Sequence, residues 1–589
     1  GTITVNRCGG STGAVSVNYA TANGSAAAGS DYTAVSGTLS WTDGETASKT
    51  FTVTVLGDTT IESDQTITIN LSAATGGATI GTGSATLIIT NDDVTSTYDY
   101  TVTNLADAGV GSLRQAMTDV ITAGGNKTIG FAVSGTIPLL TSLPDITKTL
   151  TINGSGQNIV IDGGNLVRFV KGSTAGVNLT MNNLTLDHCV RAAVGTNGWG
   201  GGIYWTASGT LTMNNVTMQN CLVSASDGGT TAVYAKGGAI YASAGTLNLN
   251  DVIIQNCSAQ TSGVVTTDNA YGAGIALETT AVLHMNRCTL VNNSIISPVG
   301  YGGAVAFASV TSSGHSLTDC TITGNSSRAY GGGIYFKGGG ATAGTPSTLT
   351  LLRCTVDTNH CSRPISSAFG GGIAADAVSA KFAQLILQTC TIANNDVGST
   401  SSGTGSAYGG AIYANNSGAG LIMTIRNSTI SGNAAAAFTI GNGRAGGLYL
   451  NSIANNSLAL ISSIVAGNTM SAIASATIGA DITKGTSATM TTATYDLIGS
   501  ANGGHGIAAT VNNCLIGAAQ LGTLSNNGGL SRTMLPLTGS PAVDTGSTSA
   551  AAAAGMDTTS DQRGAGFNRN LGIAPDIGAT EQEILVSNG

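Results

Sequence analysis

One pattern recurs about nine times between Leu179 and Asn468, and it leaves few folds open. It reads apolar-x-apolar-x-x-p-Thr-apolar-x-x-Asn/Cys, with Ile253 and Ile464 in place of Thr. The p position holds Leu184, Val216, Val252, Cys288, Cys320, Cys354, Cys390, Ser428 and Ser463. Five residues further on stand Cys189, Cys221, Cys257, Asn293, Asn325, Asn359, Asn395, Asn433 and Asn468. A period of 32 to 38 residues, carrying a short alternating strand and a turn residue at constant offset, is the mark of a solenoid.

A second marker lies between these rungs. It includes Gly237-Gly-Ala-Ile240, Gly272-Ala-Gly-Ile275, Gly302-Gly-Ala-Val305, Gly331-Gly-Gly-Ile334, Gly370-Gly-Gly-Ile373 and Gly409-Gly-Ala-Ile412. Glycine allows positive φ and close backbone approach, so its recurrence predicts a corner where coils stack without side-chain clash. The following Ile or Val re-enters the core, so Ile203, Ile240, Ile275, Val305, Ile334, Ile373 and Ile412 should form one inward column. Each coil then has at least two parallel strands, which implies a right-handed parallel β-helix over residues 99–520. Ser112 followed by Gln115 is a capping-box pattern and predicts a short helix covering the first edge strand.

The composition fits such a fold. Glycine contributes 85 of 589 residues and charged residues only 9%. The net charge is −9 with no Lys/Arg cluster in the sequence, which argues against nucleic acid as partner. No run of 18 apolar residues occurs, so the sequence offers no membrane-spanning helix. The chain begins at Gly1 in mid-pattern, as a mature product or a segment of something longer would. Ten cysteines raise the question of disulfides. Seven share two rung positions. In-register coils keep their Cβ atoms about 4.8 Å apart, wider than the usual ~3.8 Å of a disulfide. Buried thiol stacks are favoured over vertical disulfides, and both over a metal site.

Residues 1–95 follow a different rule. Alternating strands at 14–20, 48–55, 66–72 and 84–90, separated by turn signals, predict an antiparallel β-sandwich of about seven strands. The whole chain is therefore all-β, a sandwich followed by the β-helix, with residues 521–589 as a C-terminal cap and tail strand. Acidic residues stand in the sandwich turns. They read either as ordinary Asp turn chemistry or as an oxygen-rich Ca²⁺ site at one pole.

The run Ala27-Ala-Gly-Ser-Asp-Tyr-Thr33, Gly37-Thr-Leu, Gly44-Glu-Thr, Asp58-Thr-Thr-Ile-Glu62-Ser-Asp and Asn91-Asp-Asp93 resembles a Calx-beta domain. That resemblance implies Ca²⁺ binding by Asp31, Asp58, Glu62, Asp92 and Asp93, with Gln65 and Asn91 where acids often occur. The solenoid resembles the β-helix of polymorphic outer-membrane-protein-type surface adhesins. Leu537-Thr-Gly-Ser-Pro-Ala-Val-Asp544, Asp561-Gln-Arg-Gly564 and Asp576-Ile-Gly-Ala579 resemble a bacterial choice-of-anchor module. Asp544, Asp561, Arg563 and Asp576 are expected to pair there as a cap.

A β-helix can also be a polysaccharide lyase or hydrolase, which needs carboxylates gathered on one exposed face. Asp187 and Asp357 share an offset, but Gln219, Gln255, Val291 and Thr323 separate them. Asp251, Asp319 and Asp376 stand alone, and no histidine repeats at a common offset. No catalytic residue is assigned. The expectation is an extracellular cell-surface structural or adhesive protein, with a β-helical carbohydrate-active enzyme as the alternative. Its partners would be itself and cell-surface glycans or other cells. Joined tail to head, Ile584-Leu585-Val586-Ser-Asn-Gly and Gly1-Thr2-Ile3-Thr4-Val5 read like the missing first strand of the sandwich followed by its next. The tail would add Ile584, Leu585 and Val586 as a strand beside Thr2, Ile3, Thr4 and Val5 of a neighbouring unit. A head-to-tail filament or tandem rod would result.

Overall fold

A computed structural model describes residues 1–57, 62–91, 98–229, 231–262, 267–340, 342, 344–363, 366–378, 380–399, 405–437, 443–471, 478–548 and 559–582. Two compact units emerge, one formed mainly by Gly1–Thr97, the other by Tyr98–Gly154 and Asn158–Gln582.

The first unit has six strands among its described residues, one fewer than the turn spacing suggested. They are β1 (Thr2–Val5), β2 (Val15–Asn23), β3 (Ser36–Trp41), β4 (Lys49–Thr52), β5 (Gln65–Ser72) and β6 (Ser84–Ile89). An antiparallel sheet runs β3-β2-β5-β6, and β1 pairs with β4 as a two-stranded ribbon. Alternation sets what faces inward. Ile67 and Ile69 of β5 and Phe51 of β4 join Ala26, Tyr32 and Val53 in the core between the sheets.

The second unit is a parallel β-solenoid. One long sheet begins at Tyr100–Val102 and ends at Leu515–Ile516; a ten-stranded and a nine-stranded sheet form its other sides. Pairing is in register from coil to coil, as in Leu184↔Val216 and Ile254↔Leu290. The inward column is as expected: Ile203, Ile240, Ile275, Val305, Ile334, Ile373 and Ile412 are all fully buried in one continuous core. The helix is also present, over Leu113–Ala123. Ser112 Oγ accepts the Gln115 N–H at 3.2 Å. Gln115 completes no box, because its side chain donates to Asp119 instead. The helix buries Leu113, Ala116, Met117 and Val120 over the first strands.

Three left-handed corners turn each coil. The glycine corner has φ from 56° at Gly272 to 73° at Gly237. A Cβ at Gly331 would lie 2.0 Å from the Ile334 carbonyl oxygen, so the turn itself leaves no room. The other two corners precede the p residue and the Cys/Asn residue. Apart from Gly324, Gly432 and Gly467 at the second, they hold side chains: Asn183, Asn215, Asp251, Arg287, Asp319 and Arg353 at the first and Asn220, Asn256, Asn292 and Asn394 at the second, these ten with φ between 51° and 56°. Asn and Asp tolerate this region, whereas Arg does so at a cost of order 1–3 kcal/mol. The two arginines recover part of that cost through the coil before. Arg287 forks onto Asp251 at 2.7 and 2.6 Å, and Arg353 onto Asp319 at 2.7 and 2.8 Å.

Two polar ladders run inside the coils. Asn293, Asn325, Asn359, Asn395, Asn433 and Asn468 stack in register. At Asn359, Oδ1 accepts both the backbone N–H and the side-chain amide of Asn325, at 3.0 and 2.9 Å. Its Nδ2 donates to the Ile322 carbonyl and to Asn395 Oδ1, both at 2.9 Å. Every polar valence of a buried amide is used. The p-position ladder works similarly. Cys288 N–H points at Cys320 Sγ, Cys354 N–H at Cys390 Sγ, Cys390 N–H at Ser428 Oγ and Ser428 N–H at Ser463 Oγ. All ten cysteines are free thiols, nine of them buried. Beyond its last Asn or Ser, each ladder meets an aspartate. Asp481 Oδ1 accepts from Asn468, and Asp496 Oδ1 accepts the Ser463 N–H. Cys514 follows Asp496 in register, its Sγ 4.0 Å from Asp496 Oδ2.

The C-terminal segment departs from the expected end cap. Its described part returns along the outer face of the long sheet and covers the rung threonines of the later coils. Thr355 donates to the Arg532 carbonyl, Thr391 to Gln562 Oε1, and Thr429 Oγ1 accepts the Ala579 N–H. Asp561 and Arg563 pair at 2.7 Å, and Asp576 Oδ1 accepts the Asp544 N–H at 2.8 Å. This pairing braces the turn that aims Gln562 at the rungs. Ile577, Ala542 and Ala519 pack on Ile464, Ala466 and Leu497.

Candidate functional site

Loop chemistry at one end of the sandwich gathers its acids. Asp31 follows a tight turn in which its own Oδ2 accepts the Ala27 N–H at 2.6 Å. Its carbonyl accepts the Leu56 N–H, which ties this turn to the chain leaving β4. The Ala27 amide, with the Ser30 hydroxyl behind it, holds the Asp31 carboxyl below its usual value, so it is ionised at neutral pH. Opposite, the Glu62 N–H donates to Asn91 Oδ1 at 3.4 Å, and Asp64 Oδ1 accepts the Asn91 N–H at 2.9 Å. Gln65 Nε2 donates to Glu62 Oε2. Asp31, Glu62, Gln65 and Asn91 thus line one open hollow of about 350 Å³.

The other wall of that hollow is apolar and has an open edge. Among the described residues β6 pairs only with β5, so its outer edge carries unpaired backbone groups. Ile88 on β6 is 58% exposed, and Val55 and Leu56 are partly exposed nearby. Gly1 sits against Leu87, with an ideal Cβ 3.3 Å from its methyl groups. Thr2–Val5, the expected acceptor of the tail strand, pairs along its whole length with Thr52 to Lys49, so one of its two edges is already taken, and Ile3 and Val5 are half-buried against the core.

Residues 1–93 match the Calx-beta domain family. The N-terminal unit is a Calx-beta domain. Among solved structures, the apo form of the Calx CBD1 domain is 31% identical to it. That match covers 16% of this chain and 81% of the other, with a TM-score of 0.15. The calcium binding domain CBD12 of CALX1.1 is 28% identical, covering 18% and 47%, with a TM-score of 0.16. CBD12 from CALX1.2 is 28% identical, covering 18% and 43%, with a TM-score of 0.15. The chain spans under half the length of these last two. No curated protein sequence matches it.

For the Calx-beta domain, the structure brings together two of the five acids named from sequence, Asp31 and Glu62, and adds Gln65 and Asn91. Asp58, Asp92 and Asp93 lie outside the described residues, as do Ile584, Leu585 and Val586. Among the described residues no three His, Cys, Asp or Glu side chains converge closely enough to hold a metal ion. The donors that do meet are carboxylate and amide oxygens with no sulfur or imidazole, a set that fits a hard cation such as Ca²⁺. The apolar wall escaped the sequence reading, although adjacent Ile88 and Ile89 in an alternating strand signal an outward-facing apolar side chain.

The solenoid's acids are held separately. Asp187 accepts from Gln219, Asn220 and His188. Asp376 accepts from Ser417. Asp357 is fully buried beneath Arg532, which donates to its Oδ2 at 2.5 Å. His360 and Asp396 on adjacent coils pair at 2.6 Å, and that hydrogen bond raises the histidine's pKa. The Calx-beta domain and the solenoid fit a surface or structural protein.

Proposed function

We propose that the protein is a non-enzymatic structural component of an extracellular surface, whose units join head to tail by strand addition. The observation that carries this reading is the open β6 edge beside an apolar hollow at Gly1, Leu87 and Ile88. An added strand gains both an unpaired backbone ladder and apolar cover. Ile584, Leu585 and Val586 supply the residue types that such a strand needs, and each ladder bond made contributes about 0.5–1.5 kcal/mol. The solenoid's resemblance to bacterial surface adhesins and the C-terminal resemblance to an anchoring module support a surface location. No helix among the described residues is long and apolar enough to cross a membrane. A structural rather than catalytic role is supported by the rung acids, each tied to neighbouring residues or covered.

Deleting residues 583–589 and imaging the product by electron microscopy tests the joint. End-to-end contacts should disappear, and the free tail peptide added in excess to the intact chain should block them by competing for the same edge. Contacts that persist in the deletion, or a strictly monomeric intact chain, overturn strand addition.

A further inference from the structure

Aromatic rings stack up the outside of the solenoid beside the glycine corner. Tyr271, Tyr301, Tyr330, Phe369 and Tyr408 follow one another with centroids 4.5 to 5.5 Å apart. Within this ladder each ring covers its neighbours' faces. Toward the first coils the pattern changes. Trp199, Tyr204 and Tyr241 stack at 5.5 to 6.1 Å. In the coil before Tyr204 the register position holds Lys171 rather than another ring.

Three cations of this acidic chain meet at that point. Arg168, Lys171 and Arg191 line a cleft of about 670 Å³ with Asn197, Trp199 and Tyr204. No carboxylate lines it among the described residues. The Arg168 guanidinium is 5.3 Å from the Tyr204 ring centre, and donates to the carbonyls of Gly200 and Trp199. Lys171 leans on Asp145, which lies outside the cleft, at 3.0 Å between two half-exposed groups. Arg191 is exposed and pairs with no carboxylate among the described residues. Burial, and then the like charge of Arg191, push the Arg168 pKa down to about 10. The Trp199 indole N–H is buried without an acceptor among the described residues.

We infer that this cleft binds an acidic saccharide, a sugar bearing a carboxylate or sulfate, with the ring seated against Trp199 and the anion between Arg168 and Arg191. The cleft size is that of a small-ligand site. Planar guanidinium groups donate two parallel hydrogen bonds to a carboxylate or sulfate. The half-buried Trp199 at the start of the stack offers an aromatic surface for the apolar C–H face of a sugar, with Tyr204 covered by Arg168, and Asn197 adds a donor and acceptor for hydroxyls. A nucleic acid would need basic density along an extended path, which three cations in a chain of net charge −9 do not supply. The inference rests on the surface-protein reading but not on the head-to-tail joint.

Titration calorimetry of the full chain with four probes tests it: an oligogalacturonate, a heparin-derived tetrasaccharide, a neutral cello-oligosaccharide and sodium sulfate. At least one acidic oligosaccharide should bind about tenfold or more tighter than the neutral one and than sulfate, and weaken with salt. Arg191→Glu, at an exposed position, should abolish that binding, and Arg191→Lys should retain part of it. Equal binding of neutral and acidic sugars, sulfate binding as tightly as the sugars, no binding at all, or an unaffected Arg191→Glu variant each overturns the assignment. The same titration on the chain lacking residues 583–589 should be unchanged, so the site and the joint fail separately.

Discussion

A buried asparagine is tolerable only when all its valences are met, and in this solenoid each one is met by the next. That makes the ladder cooperative along the axis and intolerant of interruption. Asn359→Ala removes the acceptor for two Asn325 donors and the donor to the Ile322 carbonyl. Each stranded buried group costs about 1–3 kcal/mol, so a loss of roughly 3 kcal/mol or more is expected in chemical denaturation. Asn359→Asp should be at least as harmful, because a carboxylate cannot donate to Ile322 or Asn395. Two buried carboxyls, Asp496 beyond the p-position ladder and Glu581 in the C-terminal segment, confer a pH dependence. Burial pushes Asp496 from an ordinary 3.8 up to about 8, and Glu581 likewise from 4.5 to about 8. A carboxyl whose folded pKa is raised binds its proton more tightly in the native state. Its stabilising contribution is complete below about pH 4 and is lost as pH rises through about 8. The solenoid's melting temperature should therefore climb as pH falls from 9 toward 5, and Asp496→Asn should flatten that slope. A melting temperature indifferent to pH over this range would contradict the burial-driven shift.

Among the elements, the coils were legible and the C-terminal segment was not, for the same reason. A coil repeats, so each offset is sampled about nine times; inward Ile334, corner Gly331 and stacked Asn359 all stand out by recurrence. Residues 521–582 occur once and hold themselves by contacts with rungs some 150 to 209 residues away. One local trace of that cover did exist. Ile464 and Leu497 stand on the outer rung column where threonine is usual, and both are fully buried beneath Ala542 and Ile577. Two left-handed corners were also missed, although Asn183, Asn215, Asn220 and Asn256 mark them with the residue that best tolerates positive φ. At the sandwich pole, Asp31 and Glu62 were legible through turn chemistry and family pattern, while the open edge depends on which strands pair. The segment's grip can be probed at Arg532. Its guanidinium is 42% exposed, but Asp357 beneath it is fully buried and has one oxygen without a partner among the described residues. Arg532→Ala should cost roughly 3 kcal/mol and expose residues 521–582 to limited proteolysis. Adding Asp357→Thr, which copies Thr323 of the preceding coil, should restore most of the loss. If the double variant is no more stable than the single one, the buried charge is not the cause.

At the scale of the whole molecule, the two units differ in what they can lean on. The solenoid has one continuous core through all its coils, whereas the Calx-beta domain's fully buried cluster is Ala26, Tyr32, Phe51, Val53, Ile67 and Ile69. A small core leaves the sandwich dependent on what binds it. Asp31 and Glu62, held ionised or hydrogen-bonded around one hollow, supply like charge that a cation would offset. A ligand that binds only the folded domain stabilises it by about 2.7 kcal/mol at a concentration one hundred times its Kd. In hydrogen exchange on the full chain, saturating Ca²⁺ should therefore slow the core amides of Val15–Asn23 and Gln65–Ser72 by about a hundredfold. Amides of the coils between Ile203 and Ile412 should keep their rates, because the described acids of those coils are each tied to neighbouring residues. Mg²⁺ at the same concentration should do much less, since an open, flexible set of carboxylate and amide oxygens suits the larger ion. Asp31→Asn should remove most of the effect while leaving β2 and β5 protected in the absence of metal. Uniform slowing of both units, or no slowing in the sandwich, would return Asp31 and Glu62 to the role of turn residues.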